Sequence, residues 1–144
     1  MFLLALCLLV PVSAQEDEEK PVLSVLDFTA TGISAAEAKV FTDVLSTYIV
    51  RTGTCQLIDR KQRETILEHI EFSYSQCADE SCQLEIGRLL SASQLVVGSI
   101  GQIGGWLVVT VRLVDVPTGQ TLGSVSEKYL SLEALIDAIA ALAH

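Results

Sequence analysis

The stretch Gln94–Leu130, "QLVVGSIGQIGGWLVVTVRLVDVPTGQTLGSVSEKYL", decides the fold. Apolar and polar residues alternate along it, β-branched side chains dominate, and turn formers interrupt it twice. A period of two places successive side chains on opposite faces of a sheet. Three antiparallel strands are therefore expected, over Leu95–Gly101, Trp106–Val116 and Thr121–Leu130. Gly104-Gly105 supplies the first turn and Pro117-Thr118-Gly119 the second. The glycines of "GSIGQIGG" fit neither GxGxxG nor GxxxxGK[ST], and they join strand to strand. A phosphate loop needs the N-terminus of a helix after it, so a hairpin is expected here. Trp106 opens the longest strand and is expected to cover the sheet end as a buried ring, whose truncation costs about 3–5 kcal/mol.

Upstream, "PVLSVLDF" (Pro21–Phe28) is short and apolar and predicts a buried strand. Ser34 and Glu37 then form a capping-box pattern, in which each side chain satisfies an N–H at a helix start. Val40, Phe41, Val44, Leu45, Tyr48 and Ile49 recur at three and four residues and predict the buried face of that helix. Gly53 fits the left-handed stop. "CQLID" (Cys55–Asp59) is a second short strand. Asp59 and Gln62 cap a helix over Arg60–Glu71, with Ile66 and Ile70 inward and Arg60, Lys61, Arg63, Glu64 and Glu68 outward. Asp79 caps a third helix with Cys82, Ile86, Leu89 and Leu90 along one side. Gly87 in its middle costs about 1 kcal/mol against Ala and calls for a close neighbour. "SLEALIDAIAALAH" closes the chain as a helix with Leu132, Leu135, Ile136, Ile139 and Leu142 on one face.

The order is β-α-β-α-α-β-β-β-α. It predicts a single α/β (α+β) domain with a mixed five-stranded sheet, flanking helices and a C-terminal antiparallel meander. The first two strands are joined through a helix and are expected to run parallel. The chain has 144 residues, which suits one core, and a formal net charge of -9. That balance opposes a surface that follows nucleic-acid phosphates or anionic lipid, both of which need clustered Lys and Arg.

The first residues differ from the rest. Phe2–Val10 is an apolar run, Pro11 breaks it, and Val12-Ser13-Ala14 supplies small residues before Gln15. This reads as a secretory signal over residues 1–14, too short to span a bilayer, which takes roughly 20 apolar residues. No Lys or Arg precedes the run. Residues 15–20, with "EDEEK", form an acidic spacer, and residues 21–144 form the domain. Cys7 follows Leu6, where a lipoprotein signal has a small residue, and leaves with the signal. Export to an oxidising compartment follows.

No catalytic constellation emerges. Asp27, Asp59 and Asp115 stand at strand ends, where turn and cap formers also stand. His69 lies in a charged helix and His144 ends the chain. The cysteines matter more. Cys77 and Cys82 are spaced as Cys-x4-Cys, and the acidic Asp79 and Glu80 between them raise a thiol pKa, unlike a Cys-x-x-Cys redox pair. Cys55, His69, Cys77 and Cys82 include zinc-ligand types, but their spacing fits no common zinc module. A structural disulfide Cys77–Cys82 is the expectation, with Cys55 a buried free thiol. The alternative is a metal-binding or thiol-active periplasmic protein using Cys55, Cys77 and Cys82.

Two segments carry a family resemblance. "VLDFTATGIS" is similar to the first strand of CsgG-like and penicillin-binding-protein-activator-like envelope proteins, and "EIGRLLSASQLVVGSIGQIGGWLVVTVRLVDVPTGQTLGS" resembles their helix, strand and hairpin. The resemblance covers Val22–Leu142. It implies a fold like the N-terminal domain of TolB. It also implies an exported, non-enzymatic accessory factor, periplasmic or outer-membrane-associated, in assembly or regulation of an envelope machine such as a secretion system, a cell-wall synthase or a surface organelle. Its partners would be envelope proteins, with homo-oligomerisation left open. No cofactor, small-molecule substrate or nucleic acid is implied. Every strand is needed for the core, so a CsgG-type pore is not expected. The sheet edge and the charged face of the second helix are the candidate surfaces.

Overall fold

The computed structural model describes residues 20–69 and 79–142. The strands are β1 (Val22–Val25), β2 (Thr29–Thr31), β3 (Gln56–Ile58), β4 (Gln94–Ile103), β5 (Trp106–Asp115) and β6 (Thr121–Tyr129). The helices are α1 (Ala35–Thr52), α2 (Arg60–His69), α3 (Glu80–Leu89) and α4 (Leu132–Leu142). One mixed sheet runs in the order β3-β1-β4-β5-β6, with β2 also on β4. β1 lies parallel to both β3 and β4, while β4, β5 and β6 form the antiparallel meander.

The sheet has six strands where the sequence predicts five. The first expected strand is split. Leu23–Val25 pair with Gln94–Val96, and Thr29–Thr31 pair with Ser99–Gly101. The offset between partners changes by one residue across Leu26–Phe28, so the chain bulges there. The Phe28 N–H leaves the ladder and donates instead to the buried Thr42 Oγ1 at 3.2 Å. Thr42 in turn donates to Ala38 O at 2.9 Å.

Two cores form, one on each face of the sheet. α1 and α4 cover one face, where Phe28, Phe41, Val96, Ile100, Val109 and Leu135 pack together. Phe28 and Phe41 meet edge to face, with ring centres 5.1 Å apart. Phe28 fits because Gly98 beneath it has no side chain: a Cβ there would stand 2.6 Å from the ring and 2.2 Å from Thr110 O. On the other face, Leu67 of α2 and Ile86 of α3 pack on Leu95, Val97, Val114 and Val116.

The caps are as expected. Ser34 and Glu37 form the capping box and Gly53 takes the left-handed conformation, φ 67°. Asp59 Oδ1 accepts from Gln62 N at 2.8 Å, and Asp79 Oδ1 from Cys82 N at 2.8 Å. Gly87 has the close neighbour its position demands, since a Cβ there would lie 2.8 Å from Val116 Cγ2.

Three expectations are corrected. α2 is rotated: Leu67 is buried, Ile66 is exposed, and Arg63, expected outward, is buried at 2% exposure. The cause is polar. Arg63 Nη1 donates to Val25 O at 2.7 Å and Nη2 to Asp27 Oδ1 at 3.4 Å, which draws Arg63 to the end of β1. Val40 of α1 is exposed, because the inner face runs through Ala38, Phe41 and Thr42. Trp106 is 41% exposed rather than covering the sheet end. It alternates with the buried Leu107 and so faces away from α1 and α4, against Lys128, whose Nζ lies 4.5 Å from the ring centre. Ile70, Glu71, Cys77 and the segment 1–19, with Cys7, the signal and most of the spacer, lie outside the described residues.

Candidate interaction surfaces

The carboxyl ends of parallel strands are where open α/β sheets tend to bind ligands, so the ends of β1 and β3 come first. Asp27 follows β1 and Asp59 follows β3. Asp27 Oδ1 pairs with Arg60 Nη1 at 2.5 Å and with Arg63 Nη2 at 3.4 Å. Arg60 also grips Asp43 of α1 through Nε at 3.0 Å and Nη2 at 2.8 Å. Burial lowers the Arg60 pKa, but the hydrogen bond to Asp43 and the charge of Asp27 outweigh it, so the net shift is upward. Two cations and two carboxylates balance here. Their arrangement fastens the start of α2 to β1 and α1. Asp59 is consumed as a cap, and Asp115 closes the second turn by accepting from Thr118 Oγ1 at 2.6 Å. The charged face expected on α2 thus loses Arg63 to the interior and Arg60 to its carboxylate partners, leaving Lys61, Glu64 and Glu68 exposed.

The two described cysteines, Cys55 and Cys82, are not brought to one place. Cys55 packs against the core under α1 and α4. Cys82 stands in the first turn of α3, which packs on the opposite sheet face. Burial pushes the Cys55 thiol up, partly offset by the Lys20 charge. Cys82 is not a free thiol. Cys77, its expected partner, lies outside the described residues, as does His144, and the His69 side chain is not described. Among the described residues no three His, Cys, Asp or Glu side chains converge as a metal site.

The remaining feature is the far side of the meander. β6 is the last strand of the sheet, nine residues long, and nearly all of it is exposed. The three residues of β3 form the opposite edge. Beside β6, on the α1/α4 face, lies an apolar groove of about 290 Å³. Leu45 and Ile49 of α1, Ile139 of α4, Val109 and Val111 of β5 and Val125 of β6 line it. α4 meets β6 but leaves Val125 uncovered, 58% exposed on the groove floor. The sequence points to a sheet edge, and the serines and single charges of "SVSEK" mark one. Nothing local in it marks the groove, which depends on where α4 lies. No described helix is long and apolar enough to cross a membrane.

Comparison with known proteins agrees with this architecture. The C-terminal domain of LpoB from Salmonella enterica superposes with a TM-score of 0.65 at 20% identity, over 85% of this chain and 93% of that one. A PelC dodecamer subunit from Paraburkholderia phytofirmans gives 0.58 at 14% identity, over 85% and 84%. TolB from Acinetobacter baumannii gives 0.56 at 14% identity, over 88% of this chain and 27% of that one, in line with the expected TolB-like fold. At such identities the likeness is one of fold. Among curated proteins none matches the sequence significantly. The family profile described as "Curli production assembly/transport component CsgG" matches residues 11–105. With more than half of its residues matched, the chain belongs to the CsgG family.

Proposed function

We propose that this protein is an exported, non-enzymatic interaction module that helps assemble or regulate a machine of the bacterial cell envelope, in the periplasm or at the outer membrane. The observation that carries the reading is the CsgG family match, whose description names an assembly and transport component. The dodecamer formed by PelC supports a role exercised through protein contacts, with self-association open to this chain too. The described carboxylates at the strand ends support it as well. Asp27, Asp59 and Asp115 are each engaged in holding the fold, and the exposed features are a strand edge and an apolar groove. Residues 1–14 act as the signal, residues 15–20 as the spacer, and a Cys77–Cys82 disulfide ties the entry to α3.

The test is fractionation of cells carrying the full chain, followed by mass spectrometry of its N-terminus and cross-linked co-purification from the envelope fraction. Export with cleavage before Gln15 and recovery of envelope proteins is the expected result. Retention in the cytoplasm with an intact leader would overturn the reading.

A further inference from the structure

We propose that the free edge of β6 is a strand-addition site for an extended segment of a partner protein in which apolar residues alternate with acidic ones. This rests on the reading of the chain as an interaction module and names the surface it uses.

A strand with one unpaired edge offers a row of N–H and C=O groups that an incoming chain satisfies. β6 is that strand. Its inner edge is paired with β5 from Leu107↔Tyr129 to Leu113↔Gly123. A register shift follows at Leu113/Val114, so Gly123–Tyr129 is the regular length. No proline interrupts it.

The two faces beside this edge differ, and a period of two converts that difference into a sequence rule. Gly123, Val125, Glu127 and Tyr129 alternate on the α1/α4 side, beside the groove. Every second side chain of an added strand would lie next to Val125, over the groove. Apolar side chains suit that place, since the groove is largely aliphatic and Val125 is more than half exposed. On the other side stand Ser124, Ser126 and Lys128, with Thr110 hydrogen-bonded to Ser126 at 3.1 Å. Arg112 lies opposite Ser124, so only a small side chain separates it from the edge. Lys128 stands over Trp106. Arg112 and Lys128 are the charged residues of this face of β5 and β6, and no carboxylate accompanies them, in a chain of net charge -9. Carboxylates at the intervening positions of the added strand meet both cations.

The same charges exclude a second copy of β6 as the occupant. Antiparallel self-pairing about a two-fold axis normal to the sheet keeps the faces together. It would gather two Arg112 and two Lys128 on one side, and on the other the two Glu127 side chains that line the grooves. Like charges across strands destabilise.

The test titrates the purified full chain with three capped ten-residue peptides: alternating Val and Glu, alternating Val and Lys, and Val and Glu in two blocks. Trp106 is the one tryptophan of the chain and reports binding by fluorescence. Amide hydrogen exchange locates the contact. The alternating Val/Glu peptide should bind saturably and slow exchange at amides of Gly123–Tyr129. The Val/Lys peptide should bind about tenfold more weakly, because two cross-strand charge contacts change sign. The block peptide should not protect β6. Val125→Lys, at an exposed position, should keep the melting curve and lose binding. Lys128→Glu should shift preference toward the Val/Lys peptide. Equal binding of alternating and block peptides, or binding without protection of β6, would overturn the proposal. So would a dimer whose β6 amides are already protected, since a copy would then hold the edge. Peptide failure alongside intact envelope co-purification would reject the edge and leave the wider function standing.

Discussion

Replacing Gly87 by Ala sets two known terms against each other. In a helix interior the change is worth about 1 kcal/mol of stability through backbone entropy. Here the new methyl would stand 2.8 Å from Val116 Cγ2 and 3.1 Å from Leu95 Cδ1, at a residue that is itself buried. Overpacking of this kind costs about 1–3 kcal/mol. Leu95 is fully buried and Val116 is 3% exposed, so neither has room to yield freely. The packing term should win, and Gly87→Ala should destabilise by about 1 kcal/mol in urea unfolding followed by circular dichroism. The decisive variant is the double. Val116→Ala alone removes two buried methyls and should cost about 2 kcal/mol. In Gly87→Ala/Val116→Ala the obstructing atom is gone, the helix gain returns and the new methyl fills part of the void. The pair should be more stable than the sum of the singles by about 2 kcal/mol, within the range of coupling between touching residues. Strict additivity, or stabilisation by Gly87→Ala alone, would refute the claim that α3 is seated on β4 and the end of β5 through this glycine.

Arg63→Ala should cost about 3 kcal/mol in the same assay, because it empties a buried site and leaves Val25 O without its donor, while Asp27 keeps Arg60; a loss below about 1 kcal/mol would show that water replaces it. Trp106→Ala should cost only about 1 kcal/mol, as the ring is partly exposed and its cation–π contact with Lys128 is of that order; a loss of 3 kcal/mol or more would mean the ring is buried after all. Replacing Cys77 and Cys82 together by Ser should lower stability by about 2 kcal/mol with the fold retained, and denatured, unreduced exported protein should show one reactive thiol rather than three. For Cys55, burial favours the neutral thiol in the folded state, so the unfolded chain loses its proton first as pH rises. Stability from this group is therefore full below the ordinary thiol pKa and lost as pH climbs through the raised value. Alkylation of the native protein should lag a model thiol until that range, and equal rates at neutral pH would contradict it.

How far the sequence carried the fold depended on whether the cause was local. The meander was legible because alternation and Gly104-Gly105 act over neighbouring residues. Ser34, Asp59 and Asp79 announced their helices for the same reason, and Gly87 announced a close contact, though not with what. The break between β1 and β2 was not legible, since the Phe28 N–H is taken by Thr42, on a helix whose position no local pattern reveals. The rotation of α2 was misread because Arg63 looks like a solvent residue until Val25 O and Asp27 are placed beside it. Trp106 misled because a large ring suggests burial, whereas its parity with Leu107 turns it outward. The groove was invisible because it depends on α4 leaving Val125 of β6 uncovered.

The position of β1 inside the sheet also orders events in time. β1 is the first described strand, yet one of its two neighbours is β4, and their contact joins Val22 to Ser93, separated by 71 residues. The meander closes through short turns, whereas β1 must await a strand made much later, at the entropic cost of a long loop. While the chain grows from its N-terminus, "VLSVLDF" has β3 alone to pair with and presents its other edge to whatever is near. An inner strand of the finished sheet is thus among the segments exposed longest before it forms, and one that a holding factor would do much to shield.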